Sequence, residues 1–163
     1  WQLVLAMGAA RRFTSTPHGL VGIQLDNQGE LPKSKVRRLA KQSIPEVPSP
    51  LFHNGRVYMV KNGGIVTCIE VSSGRRIFRK RVGSRGTHYA SPIIANDKLY
   101  LPSGDGTLCV AECEDGKVVA RSRLGEPIFA TPAVVNGVLY IRTATALLAF
   151  SNSEGTKNVA TDH

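Results

Sequence analysis

Four histidines, three cysteines and a scatter of carboxylates are the residues here that could support acid–base, nucleophilic or metal chemistry. His18, His53, His88 and His163 lie far apart, and no spacing among them marks a nucleophile–base–carboxylate relay. Cys68, Cys109 and Cys113 are an odd number, which excludes full internal pairing, and no cysteine–cysteine or cysteine–histidine spacing fits zinc. Cys68 and Cys109 fall in apolar runs and read as small buried hydrophobes, whereas Cys113 precedes a turn and is expected to be more exposed. Calcium needs about six or more converging oxygens, and no dense acidic loop supplies them. Gly104-Asp105-Gly106 reads as a turn, and Glu70, Glu112 and Asp115 sit near turns, where carboxylates bond local N–H groups. The glycine-rich spots are turn pairs, not a phosphate cradle that opens a helix. The sequence therefore assigns no catalytic, cofactor or metal residue and favours binding over catalysis.

The elements that carry these residues repeat. Pro48-Ser49-Pro50 recurs as Ala90-Ser91-Pro92 and as Ala130-Thr131-Pro132, and a tyrosine follows each last proline by eight residues, at Tyr58, Tyr100 and Tyr140, all three expected to be largely buried between adjacent blades. Between proline and tyrosine sits a turn pair: Asn54-Gly55, Asn96-Asp97 or Asn136-Gly137. Gly64, Gly74 and Gly83 return 42 residues later as Gly106, Gly116 and Gly125, and the last copy follows at a spacing of 40. In the first copy the strand-like runs are Ser49–His53, Arg56–Val60, Ile65–Glu70 and Arg76–Arg81. A period near 40–45 residues with four strands per copy is the mark of a β-propeller blade. The fold expected is all-β, a partial propeller of about three to four four-stranded antiparallel blades.

Residues 1–42 read as a divergent blade with an insertion, 43–88 and 89–128 as blades, 129–150 as the start of another, and 151–163 as a flexible tail. Within the divergent blade, Gln2–Met7 is expected to be a strand, Val36–Ala40 the outer strand, and Gly8–Thr16, which lacks a clear period, a loop. Such rings close with about four to eight blades. With its start at Trp1 inside an apolar run, the chain reads as a fragment whose ring is completed by further blades or by self-association.

The net charge of +9 comes from 21 Lys and Arg against 12 Asp and Glu. Lys33, Lys35, Arg37, Arg38 and Lys41 cluster at one outer strand, and Arg75, Arg76, Arg79, Lys80, Arg81 and Arg85 around the next. Charge on an outer strand protects an exposed edge, and it also offers a surface to an acidic partner. Only Phe78 interrupts these runs, so a base-stacking platform and specific nucleic-acid binding are not expected. No run has the length of a transmembrane segment.

The segment from Cys68 to Phe78 resembles the repeat Ala-x-Asp-x-x-Thr-Gly-Lys-x-x-Trp. Cys68, Glu70, Ser73, Gly74, Arg75 and Phe78 stand at its fixed places, and Val110, Glu112, Asp115, Gly116, Lys117 and Ala120 follow in the next copy. With the Ser-Pro openings and Asn-Gly turns, the chain is similar to PQQ-like (quinoprotein-like) β-propeller repeat proteins, a group that includes the outer-membrane protein assembly lipoprotein. The resemblance implies a non-catalytic scaffold or binding module that contacts protein or glycan in a bacterial cell envelope, periplasmic or secreted. It also admits a piece of a PQQ-dependent quinoprotein dehydrogenase, an oxidoreductase with its cofactor site in missing blades. The quinone enzymes of the group hold PQQ with a vicinal disulfide, a stacking tryptophan and a calcium site. This chain has no adjacent cysteines and Trp1 as its one tryptophan, so PQQ with calcium is expected only under that alternative.

Binding residues of such rings sit on loops carried by rigid blades. The connector Gly83–Ala90 and the hairpin Lys61–Gly64 are expected to share a face. Lys61, Arg85, His88, Tyr89 and Arg142 form the candidate partner-binding set, with Arg142 replacing the apolar Val60 and Pro102 of the other copies.

Overall fold

The computed structural model describes residues 11–16, 19–24, 36–42 and 44–151. Those residues form strands and turns with no helix among them. Blade 1 comprises β1 (Arg11–Thr16), β2 (Gly19–Gln24) and β3 (Val36–Ala40). Blade 2 comprises β4 (Leu51–His53), β5 (Arg56–Lys61), β6 (Ile65–Glu70) and β7 (Arg76–Arg81). Blade 3 repeats it with β8 (Ile93–Ala95), β9 (Lys98–Pro102), β10 (Thr107–Glu112) and β11 (Val118–Arg123). Blade 4 contributes β12 (Ala133–Val135), β13 (Val138–Arg142) and β14 (Leu147–Phe150). Each strand pairs antiparallel with its neighbour in sequence, so each blade is an up-and-down meander. The fold is a partial β-propeller.

Local chemistry explains the repeat. The first hairpin of blades 2, 3 and 4 has positive φ at both turn positions: 46° and 73° at Asn54-Gly55, 48° and 55° at Asn96-Asp97, and 52° and 77° at Asn136-Gly137. That is the type I′ requirement, which Asn, Asp and Gly meet at least strain. The first strand starts at Leu51, later than the expected Ser49, because Pro50 has no N–H to give the ladder. Pro92 and Pro132 likewise stand one residue ahead of β8 and β12. The outer strands of blades 2 and 3 join through a register shift at one repeat position, Cys68/Ile69 and Val110/Ala111, whereas that of blade 1 shifts earlier in its partner strand, at Leu20/Val21.

Alternation along the strands supplies two apolar faces per blade. From β5, Val57 and Met59 pack with Leu20 and Leu39 of blade 1, while Tyr58 and Val60 pack with Leu99, Leu101, Cys109 and Ala111 of blade 3. Leu108 and Tyr100 of blade 3 then pack with Ile141 and Leu139 of blade 4. A sheet buried on both faces between like sheets is what makes a propeller rather than a sandwich.

Three expectations need correction. Arg11–Thr16 is a strand paired with β2 along its whole length, not a loop, because ladder hydrogen bonds outweigh its weak side-chain period. Cys113 is buried, since the Tyr58 hydroxyl of the neighbouring blade covers it and donates to its carbonyl at 3.0 Å. The tyrosines are also unequal: Tyr58 is 1% exposed, but Tyr100 and Tyr140 are only half-buried. The carbonyl that would cover Tyr100, by the 40-residue spacing from Cys113, belongs to residue 153, outside the described residues. The expected strand Gln2–Met7 and the tail beyond Ser151 also lie outside them.

Candidate functional site: the connector face

Connectors between blades cross one face and lock onto the second hairpin of each blade. Gly63 N–H donates to the Gly86 carbonyl at 3.0 Å, and Asn62 Oδ1 accepts from His88 N–H at 2.8 Å. On its other side the same connector accepts from Gly104 N–H at the Thr87 carbonyl, 2.8 Å. The Ser84 hydroxyl bonds that of Ser103 at 2.6 Å. The next connector repeats the pattern, with Ile128 N–H on the Ser103 carbonyl at 3.2 Å and Glu126 bridging Thr143 and Thr145. Glycine is required at Gly64, where φ is +69° and a Cβ would run into the Ser84 and Gly83 backbone.

Electrostatics on this face follow from those bonds. Burial pushes the His88 imidazole below its ordinary value, against the raising effect of the Ser84 and Pro102 carbonyls that face its ring nitrogens at 3.3 and 2.9 Å. Burial acts to raise the Asp105 carboxyl, but hydrogen bonding, chiefly from Thr107, outweighs it and leaves the group lowered. Hydrogen bonds from Thr143 and Thr145 hold the Glu126 carboxyl low, with Arg142 adding to the effect.

The structure brings the Lys61 hairpin, Arg85, His88 and Tyr89 together at the blade 2–3 junction. Arg142 lies apart, exposed at the end of β13 beside Glu126. Arg85 and Tyr89 are exposed and Lys61 is half-buried. His88, at 1% exposure, offers no surface and instead holds the connector in place. Sequence reasoning missed a further residue: Phe129, 40 positions after Tyr89, is 54% exposed and packs edge-on against Tyr89 at 5.6 Å. Val47, 42 positions before Tyr89, is 38% exposed. Val47, Tyr89 and Phe129 thus occupy one register position in successive connectors. Tracing the repeat through the residue before each Ala/Pro-Ser/Thr-Pro opening would have found them.

No group of three or more His, Cys, Asp or Glu is placed to hold a metal among the described residues. The free cysteines are all buried and none adjoins another. Burial pushes the Cys68 and Cys113 thiols up to about 11, so they stay protonated and inert.

These features define a β-propeller of repeated blades with a rigid, partly apolar connector face. Residues 20–119 and 63–158 match the family model of the outer membrane protein assembly factor BamB, and the chain belongs to that family of PQQ-like repeat proteins. No single curated protein matches it in sequence. Among solved structures it is similar to BamB from Moraxella catarrhalis, at 22% identity and a TM-score of 0.67 over 87% of this chain and 43% of that one. The computationally designed Ika4 protein gives 14% identity and a TM-score of 0.72 over 91% of this chain and 89% of its own. A europium-containing methanol dehydrogenase gives 12% and 0.54 over 71% and 23%. At such identities the likeness is one of fold. The chain spans less than half the length of the Moraxella protein.

Proposed function

We propose that this chain forms part of a non-catalytic propeller scaffold that binds a protein partner in a bacterial cell envelope through its connector face. The observation that carries the reading is the row Val47, Tyr89 and Phe129, exposed at one register position on loops fixed by inter-blade hydrogen bonds. Aromatic anchors on a preformed surface limit the entropy lost on association. Arg85 and Lys61, at the same blade 2–3 junction, supply positive charge beside it. Membership of the BamB-like family supports the envelope setting.

PQQ does not fit the residues present. The cysteines at 68, 109 and 113 are sealed in blade packing, and the described residues contain no tryptophan to stack on a quinone. We accordingly expect no calcium-dependent rise in melting temperature when PQQ and calcium are titrated into the chain. A saturable rise would favour the quinoprotein alternative.

The scaffold reading is tested with a photo-crosslinking residue at Tyr89 or Phe129, and at Arg123 on the outer strand as control. Protein adducts from envelope preparations are expected at the connector positions and not at Arg123. Glycan adducts would change the partner class, and equal labelling at all three positions would end the assignment of this face.

A further inference from the structure

At the outer side of the blade 1–blade 2 junction lies a cleft of about 230 Å³. Its cations are Lys41, Arg76 and Arg79, its apolar lining includes Leu39 and Ile69, and no carboxylate lines it among the described residues. Thr67 forms part of its wall, is 3% exposed, and carries the buried side-chain oxygen left without a hydrogen-bond partner among the described residues. Register explains the placement. Thr67 pairs with Met59 and Arg79 across β6, and Met59 belongs to the apolar cluster that meets blade 1.

We infer that this cleft is a carboxylate-binding subsite that takes a glutamate side chain from an extended acidic segment of a partner protein. Thr67 Oγ1 is a hydroxyl donor with no acceptor among the described residues, and a carboxylate is an acceptor-only group. Arginine offers that carboxylate two parallel N–H donors, with Arg76 and Arg79 both on the cleft. Leu39 and Ile69 suit the methylenes of glutamate, which a bare inorganic anion lacks. β3 and β7, on either side, are outer strands with one unpaired ladder each, so an extended segment can lie along the opening. The inference gives a chemistry to the partner and in that sense rests on the scaffold reading, but it concerns a different surface from the connector face.

The probe is a fluorescein-labelled Gly-Glu-Glu-Glu-Gly peptide, followed by anisotropy on the whole chain, with its glutamine counterpart as control. The glutamate peptide is expected to bind and the glutamine peptide not. Arg76→Gln with Arg79→Gln should weaken binding by about tenfold or more, and Thr67→Val by about fivefold, with no loss of melting temperature in Thr67→Val. Arg121→Gln with Arg123→Gln, the same charge change on β11, should leave binding within about twofold. Equal weakening in that control would reduce the effect to diffuse charge, and an unchanged affinity in Thr67→Val would remove the hydroxyl from the site. Displacement by inorganic phosphate where acetate has no effect would overturn the carboxylate assignment. If the peptide fails to bind while crosslinks form at Tyr89 and Phe129, this inference falls and the scaffold reading stands.

Discussion

The blade 1–2 and blade 2–3 junctions are built by the same repeat but closed differently. Between blades 2 and 3, Phe78 lies against Gly116, where a Cβ would stand 2.8 Å from its ring. Tyr58 reaches across to the Cys113 carbonyl, Arg121 donates to the Val82 carbonyl at 3.3 Å, and Ser49 N–H donates to the Ser91 hydroxyl at 2.8 Å. His53 and Asp97 pair at 2.9 Å nearer the surface. Between blades 1 and 2 the apolar contact of Leu20 and Leu39 with Val57, Met59 and Ile69 is present, yet the outer side stays open among the described residues. The outer strand β3, Val-Arg-Arg-Leu-Ala, brings no aromatic ring to fill it. One repeat position records the contrast: Thr67 has no hydrogen-bond partner among the described residues in the open junction, and its equivalent Cys109 is fully buried in the closed one. Propeller stability is held in these junctions, and loss of a docking ring converts a seal into a cleft.

The largest expected effect comes from breaking the closed junction at its centre. Tyr58→Ala removes a buried aromatic, its tilted contact with Phe78 at 6.4 Å and the bond to Cys113. It should cost on the order of 3–5 kcal/mol. Tyr100→Ala should cost less, about 1–2 kcal/mol, because that ring is half-buried. Denaturant unfolding of both variants gives the comparison, and equal losses would show that the two junctions around blade 3 are equally sealed.

Next comes the docking glycine. Gly116 has φ +71° and faces the Phe78 ring, so Gly116→Ala combines a strained backbone with a steric conflict and should cost about 1–3 kcal/mol. Gly137→Ala, at φ +77° with no atom near a Cβ, carries the backbone strain alone and should cost about 1 kcal/mol. Melting temperatures of the pair separate ring contact from turn geometry.

Much of the closed junction was legible in sequence and little of the open one. Turn residues such as Asn54-Gly55 announce their conformation by chemistry, and a 42-residue offset carries Tyr58, Gly64 and Gly74 into register with their copies. Burial of Cys113 was not legible, because a tyrosine 55 residues away covers it. Phe129 was missed for a related reason. A connector has no period of its own, so exposure there is set by the loops beneath it, with Gly104 close to the Phe129 ring. The cleft arises from a ring that β3 lacks, and an absence in one strand says nothing about space until the neighbouring blade is placed against it.

His88 gives the connector a pH dependence of defined sign. Its ring is buried against two carbonyls, and the nearest charge, Asp105, raises its affinity for a proton without overcoming burial. With the folded pKa below the ordinary 6.5, the unfolded chain binds the proton first as acidity increases. The contribution is therefore intact above about pH 6.5 and is lost as pH falls below it, at no more than about 1.4 kcal/mol per pH unit for one group. His88→Gln should flatten the dependence of melting temperature on pH between about 5 and 7 relative to the parent. An unchanged profile would assign the acid sensitivity to other groups.

The smallest effect is expected from Thr67→Val, one half of a reciprocal exchange between the junctions. Thr67→Val replaces a buried hydroxyl that has no partner among the described residues with a methyl of similar shape, so the desolvation penalty disappears while the cross-strand pairing with Met59 is kept. Stability should rise by up to about 1 kcal/mol. Cys109→Ser performs the opposite operation in the closed junction, placing a hydroxyl where Leu101 and Ala111 leave it few partners, and should cost about 1–3 kcal/mol. Opposite signs from two small changes at one repeat position would confirm that the junctions differ in closure and not in apolar content. A loss of stability in Thr67→Val would mean that solvent in the cleft already satisfies the hydroxyl, and that the open junction is wet.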